Sequence, residues 1–205
     1  MKKFRVVSVM ILLLLVLPAS LFSLDLIGLR VGPTAMLNVP INPEYIAPDF
    51  LETLNFDDFQ FGVDARFNLT VLEVNALAAI EPIVDTLGNF GGGMVAANLG
   101  AGVSIPLLDI VRFGLFAGPS LSFIVSRSGF EPGEDFPLQP GDIFASNLFV
   151  RVTADVMLGA LSVGGTYIVD TNTNLNSIFD EGFDPAVILE NPVGRAGFSV
   201  LFALF

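Results

Sequence analysis

The chain has 205 residues, 53% of them hydrophobic, with no Cys, His or Trp, and 21 Asp plus Glu against nine Lys plus Arg. That length suits one domain, zero Cys excludes a disulfide framework, and zero His removes the commonest general base and transition-metal ligand. A formal charge of −12 excludes nucleic acid as a partner, because phosphates are bound through clustered Lys and Arg.

Residues 1–23 read as a cleavable signal peptide. Lys2, Lys3 and Arg5 form a basic n-region, Val9 to Leu17 a short apolar h-region, and Pro18 to Ser23 lead to a cut near Ser23. Leu21 departs from the small-x-small cleavage pattern, and no Cys follows to carry an N-terminal lipid. Residues 24–205 form the expected mature domain. They contain no Lys and six Arg against 21 acids, a net charge of −15.

Eight segments alternate with period 2, the strand signature. The first, Asp25 to Asn38, sets Ile27, Leu29, Val31, Ala35 and Leu37 against Gly28, Arg30, Gly32 and Thr34. An acidic, Pro-rich connection from Val39 to Asp58 follows. Phe59 to Thr70 is the most regular: Phe59, Phe61, Val63, Ala65, Phe67 and Leu69 oppose Gln60, Gly62, Asp64, Arg66, Asn68 and Thr70. Its twelve residues exceed the roughly 9–11 that a tilted strand needs to cross a bilayer.

The third strand, Glu73 to Glu81, follows an immediate turn. It puts Val74, Ala76, Ala78 and Ile80 outward, and its inner face changes from Glu73 and Asn75 to Leu77 and Ala79. Pro82 to Met94 reads as a loop ending in Gly91-Gly92-Gly93, which lacks the Lys and helix of a phosphate loop. Strand four (Val95 to Ser104) and strand five (from Val111) flank a tight turn at Pro106 to Asp109. A long acidic loop, Arg127 to Asp142, leads to strand six, where Leu148, Val150, Val152, Ala154 and Val156 oppose Asn147, Arg151, Thr153 and Asp155. Gly159-Ala160 turns into strand seven. The last loop, Thr171 to Pro192, precedes a final strand from Val193 to Phe205.

The expected fold is all-β: an eight-stranded antiparallel up-and-down transmembrane β-barrel with both termini periplasmic. Long and short connections alternate, and sixteen of the 21 acids lie in or beside the four long ones, as in outer-membrane barrels. A soluble barrel would turn its polar face to water and its apolar face inward. Here the polar face is mainly Gly, Ser, Thr and Asn, which suits a narrow lumen. The apolar wall would aggregate in water. Outer-membrane lipid is thus the first expected partner, and a monomer the expected state.

The signal peptide, eight alternating strands, long loops and terminal Phe205 together resemble the small bacterial outer-membrane barrels of the OmpA, OmpX and OmpW type. The resemblance covers the whole mature chain and is architectural. It implies that Phe205 is the signal read by the barrel-assembly machinery. Val200, Phe202 and Leu204 are out of phase with Phe205, so either a β-bulge intervenes or Phe205 faces inward. Any aromatic girdle must be built from Phe, and Pro33 and Pro119 belong near strand ends or bulges.

Arg30, Arg66, Arg112, Arg151 and Arg195 share the polar face with Asp64, Asp155 and Glu73. They form a candidate lumen charge cluster, structural as buried ion pairs or selective as a ring of charge in a pore. Closure of first strand on last would put Arg30, Arg66 and Arg195 on neighbouring strands, as a salt-bridge cluster. Phe116, Ile124, Phe149, Met157 and Ile168 fall on the inward phase, as a plug or an apolar pocket. Asp170, Asn172, Asn174 and Glu181 echo calcium-loop spacing, with Leu175 where that loop needs Gly.

No cofactor is implied. Enzymes on small barrels of the kinds the resemblance brings in use a catalytic His, which is missing, so no enzymatic activity is expected. Two roles follow. One is a narrow channel or carrier for small or hydrophobic solutes, implied by the resemblance to the OmpW type. The other is a non-conducting structural or surface-interaction barrel, adhesin-like, acting through its acidic loops on a surface partner.

Overall fold

The computed structural model describes residues 27–40, 54, 58–84, 90–107, 110–126, 143, 145–179 and 193–205; the signal segment 1–23 and much of the long connections lie outside the described residues. Eight strands follow in chain order: β1 (Ile27–Pro40), β2 (Phe59–Leu69), β3 (Leu72–Val84), β4 (Phe90–Leu107), β5 (Val111–Ser126), β6 (Asn147–Leu158), β7 (Leu161–Asn174) and β8 (Val193–Ala203). Each pairs antiparallel with its chain neighbours, and β1 with β8, so the sheet is a closed barrel without a free edge. Closure matters because hydrocarbon offers strand edges no hydrogen bonds.

The register sets the width. Ladder partners lead from Gly28 to Asn68, Glu73, Gly102, Phe116, Arg151, Ile168 and Arg195, and return to β1 at Asn38. Position 28 has become position 38, a stagger of ten residues around eight strands. With a rise of about 3.3 Å and a strand spacing of about 4.8 Å, this tilts the strands by about 40° and gives a backbone radius of about 8 Å. Side chains fill a lumen of that size.

Every strand sorts its side chains as the period-2 pattern demands. Along β6, Phe149, Arg151, Thr153 and Asp155 are buried while Val152, Ala154 and Val156 are exposed. Val63, Leu72, Leu99, Leu115 and Phe198 also turn outward, each more than half exposed. Such an apolar belt belongs in hydrocarbon, so the barrel is transmembrane. Phe67, Phe113 and Phe202 lie near the short turns, and Phe59, Phe61 and Phe123 toward the long connections. The girdles are therefore made of Phe. An outward groove of about 360 Å³ follows Ala65, Ala76, Ala78 and Ala97 within the belt.

Several local readings change. Pro82 to Met94 is mostly strand, since β3 continues to Val84 and β4 begins at Phe90, with Pro82 opposite Gly93. A residue lacking N–H faces one lacking a side chain, so the ladder continues through residues that usually break it. Pro33 and Pro119 are well inside β1 and β5 rather than near their ends. The β1–β8 pairing lapses between Val31 and Thr34, and the β4–β5 pairing between Asn98 and Ala101, so neither proline's missing donor interrupts a continuous ladder. At the C-terminus, Leu204 N donates to Leu29 O at 2.8 Å, while Leu29 N donates to Phe205 O at 3.1 Å. Two residues thus oppose one, a β-bulge, and Phe205 is 69% exposed rather than inward.

Candidate functional site

The lumen is layered along the barrel axis. Near the short turns, β3 presents Glu73 between Arg30 of β1 and Arg112 of β5. Glu73 Oε2 is 3.0 Å from Arg30 Nη2 and 3.8 Å from Arg112 Nη1, and all three side chains are buried. Arg30 Nη1 also reaches Met157 Sδ at 3.5 Å. Glu73 Oε1, both side-chain polar atoms of Asn75, Arg112 Nε and Ser162 Oγ are buried without a hydrogen-bond partner. Orphans of this kind are normally bridged by ordered water.

The next layer is built on Asp64. Its carboxylate accepts Arg66 Nε at 3.0 Å and Arg66 Nη2 at 2.8 Å, Arg151 Nη1 at 3.0 Å, and Ser199 Oγ at 2.9 Å. Arg151 Nη2 pairs with the same carboxylate, and Arg151 Nε donates to Thr166 Oγ1 at 2.8 Å. Arg66 Nη1 crosses to Asp155 Oδ2 at 2.6 Å. Asp64, Arg66 and Arg151 show no exposed surface. Two guanidinium forks and two carboxylates balance in charge, the arrangement a buried ionic group requires.

Above it lies an apolar layer. Met36, Leu77, Ala79, Phe149 and Ile168 form one buried cluster, each 2% exposed or less. They come from β1, β3, β6 and β7, and the ten-residue stagger is what brings them to one height. The layer spans the lumen as a plug.

The mouth beside the long connections is polar again. Arg195 Nη2 pairs with Asp170 at 2.7 Å and contacts Asn98 Oδ1 at 3.3 Å, and Arg195 Nη1 reaches Gln60 Oε1 at 3.4 Å. Gln60 Nε2 donates to Glu81 Oε2 at 2.8 Å and Asn38 Nδ2 to the same oxygen at 3.3 Å. Asn38, Gln60, Glu81, Asp170 and Arg195, with Met94, Ala96, Ser120, Ser122 and Asn147, line a cup of about 270 Å³ above the plug.

All eight charged residues picked out in the sequence line the lumen, but in separate layers. Arg30 and Arg66 are ladder partners, whereas Arg195 stands opposite Asn38 at the far end of β1. The expected cluster of Arg30, Arg66 and Arg195 therefore does not form, because the stagger carries β8 ten residues up β1. Phe116, Phe149 and Ile168 are buried in the lumen and Met157 contacts Arg30 there; the side chain of Ile124 lies outside the described residues.

The calcium-loop reading is corrected. Asp170, Asn172 and Asn174 belong to β7, Asp170 is paired with Arg195, and Asn174 caps a one-turn helix by accepting from Ser177 N. An extended strand cannot wrap a cation as a loop does. Glu181 lies outside the described residues. Sequence reasoning put Gln60 and Asn98 on the inward face without singling them out for the site, and it missed Met36 and Ser199 as lumen residues. Their inward phase on their strands was the available signal.

No protein-family model and no curated protein sequence matches the chain. Among solved structures, it is similar to Ail, the attachment invasion locus protein of Yersinia pestis, in complex with the heparin analogue sucrose octasulfate. That match has 10% identity and a TM-score of 0.45, covering 87% of this chain and 97% of that one. It is also similar to Neisserial surface protein A, with 10% identity, a TM-score of 0.44 and the same two coverages.

Proposed function

We propose that the protein is a non-conducting outer-membrane barrel whose working surface is the mouth beside the long connections, turned to the cell exterior. One observation carries this reading: the lumen is closed twice, by the layer of Met36, Leu77, Ala79, Phe149 and Ile168 and by the Asp64–Arg66–Arg151–Asp155 network beneath it. An ion crossing such a lumen would have to displace fully packed apolar side chains and break fully buried ion pairs. Conduction, the other role expected from the resemblance, would need both layers to part. The charged lumen residues then act as structure, and recognition falls to the acidic rim, which suits cationic partners.

The test is conductance of the refolded chain in planar bilayers, after a heat-modifiable gel shift has established folding. A silent barrel is expected. Discrete openings that change when Arg66 or Arg151 is replaced would overturn the reading and make those residues a filter.

A further inference from the structure

We propose that the polar cup at this mouth binds a small organic cation, an ammonium group carried close to a hydroxyl, as in amino alcohols and amino sugars. The proposal rests on the reading above, in which the lumen is a dead end whose mouth faces the exterior. Three observations carry it.

The first is the cup itself. Its volume of about 270 Å³ equals roughly nine waters at about 30 Å³ each. Met94 and Ala96 give it apolar surface, and the rest of its lining is amides, hydroxyls and charged groups. The space suits a small polar molecule and closes behind it.

The second is charge. Asp64, Glu73, Asp155 and Asp170 each have an Arg nitrogen within 3.8 Å. Glu81, alone among the described inward acids, has none; its carboxylate is held by the neutral amides of Gln60 and Asn38. Among the described residues, Glu81 and Asp170 face Arg195 as the only cation lining the cup, which leaves one negative charge in excess there. A half-buried carboxylate whose protein partners are neutral amides favours a cation.

The third is the neutral lining beside that carboxylate. Arg195 is 3% exposed, and its two terminal nitrogens are engaged by Asp170, Gln60 and Asn98. Ser120, Ser122 and Asn147 line the same cup as Glu81. A ligand that gives Glu81 an ammonium and carries a hydroxyl close to it can bond to both, and an amino alcohol or amino sugar offers that pair. A plain carboxylate would be repelled by the net charge, and a plain sugar would leave Glu81 without its cation.

The experiment is calorimetric or NMR titration of the refolded barrel in micelles with ethanolamine and glucosamine. Ethylene glycol and glucose serve as uncharged counterparts. Both amines are expected to bind, and their counterparts at least about tenfold more weakly. Glu81→Gln, which keeps the acceptor for Gln60 but not the charge, should weaken amine binding about ten- to hundredfold, the range for a charge-assisted hydrogen bond. The gel shift of that variant should be unchanged.

Equal binding of glucose and glucosamine, no binding of either amine, or unaltered affinity in Glu81→Gln would each overturn the proposal. Bilayer conductance of the same preparation separates the two claims. Openings would overturn the closed lumen, whereas a silent barrel that binds no amine would overturn the cup alone.

Discussion

Replacing Asp64 by Asn is the most direct test of what holds this lumen together. The carboxylate is fully buried and serves both Arg66 and Arg151, along with Ser199 Oγ. Asn keeps the shape, removes the charge, and turns an amide donor toward two guanidinium groups. Asp155 cannot take over, because among the described residues it pairs with Arg66 alone. Removing one partner of a buried ion pair costs about 3–5 kcal/mol, and one carboxylate serving two cations places the loss near 5. That is a large share of a typical stability of about 5–15 kcal/mol.

The assay is reversible guanidinium unfolding from lipid vesicles, followed by far-UV circular dichroism because the chain has no Trp. Adding Arg151→Met to Asp64→Asn removes one of the stranded cations and should recover roughly 2 kcal/mol. If the single variant does not fold, the double variant and Ser199→Ala remain measurable. Ser199→Ala removes one hydrogen bond to a charged group, for a loss of about 1.5–3 kcal/mol. A loss below about 1 kcal/mol in Asp64→Asn would refute the claim that the network is structural.

Other expectations follow from the belt, the plug and two tight positions. Leu99→Arg, outward in the middle of β4, should cost about 2–4 kcal/mol in vesicles, and Leu158→Arg beside the β6–β7 turn about 0–1; equal costs would place the bilayer elsewhere. Phe149→Ala should destabilise the barrel by about 3–5 kcal/mol and still not conduct, since the Asp64 layer closes the lumen below it; openings in planar bilayers would disprove the double closure. Gly164→Ala drives a methyl into the Asp155 carboxylate and should lower the unfolding midpoint by the equivalent of about 1–3 kcal/mol. Thr70, at φ 58° in the β2–β3 turn, sits where β-branched residues are strained. Thr70→Gly should therefore raise stability by about 1 kcal/mol; a lower midpoint would mean that its hydroxyl bond to Leu69 O outweighs the strain.

The face of each residue was legible in the sequence, but its height was not. Alternation alone assigned Arg66 and Asp155 inward and Val152 outward, because period 2 is a local property of a strand. Whether Arg195 meets Arg30 or Asn38 depends on the stagger around the whole barrel, which no single segment encodes. The plug shows the same limit. Leu77 and Ala79 stood on the inward phase of β3 and read as a blemish in its pattern, yet with Met36, Phe149 and Ile168 they make one layer. Pro82 and the Gly91–Gly93 run misled in the opposite direction: propensity marked a loop, and the ladder with a neighbouring strand carried the chain through it.

Charge divides the molecule into a neutral inside and an acidic edge, and this division says where recognition should occur. Among the described inward positions, five Arg face five acids: Asp64, Glu73, Glu81, Asp155 and Asp170. Outside residues 1–23 that leaves Arg127 as the only other basic residue, against fourteen acids in the four long connections. A neutral, filled lumen exerts little pull on passing ions, whereas a rim so unbalanced attracts cations across a Debye length of about 8–10 Å in physiological salt. Binding of a cationic polymer such as polylysine to vesicles carrying the refolded barrel should therefore fall steeply with added salt. Neutralising Glu44, Asp49, Glu52, Asp57 and Asp58 together should weaken it further while leaving unfolding of the barrel unchanged. Binding that ignores both changes would locate recognition away from the rim, and the acidic connections would then serve solubility alone.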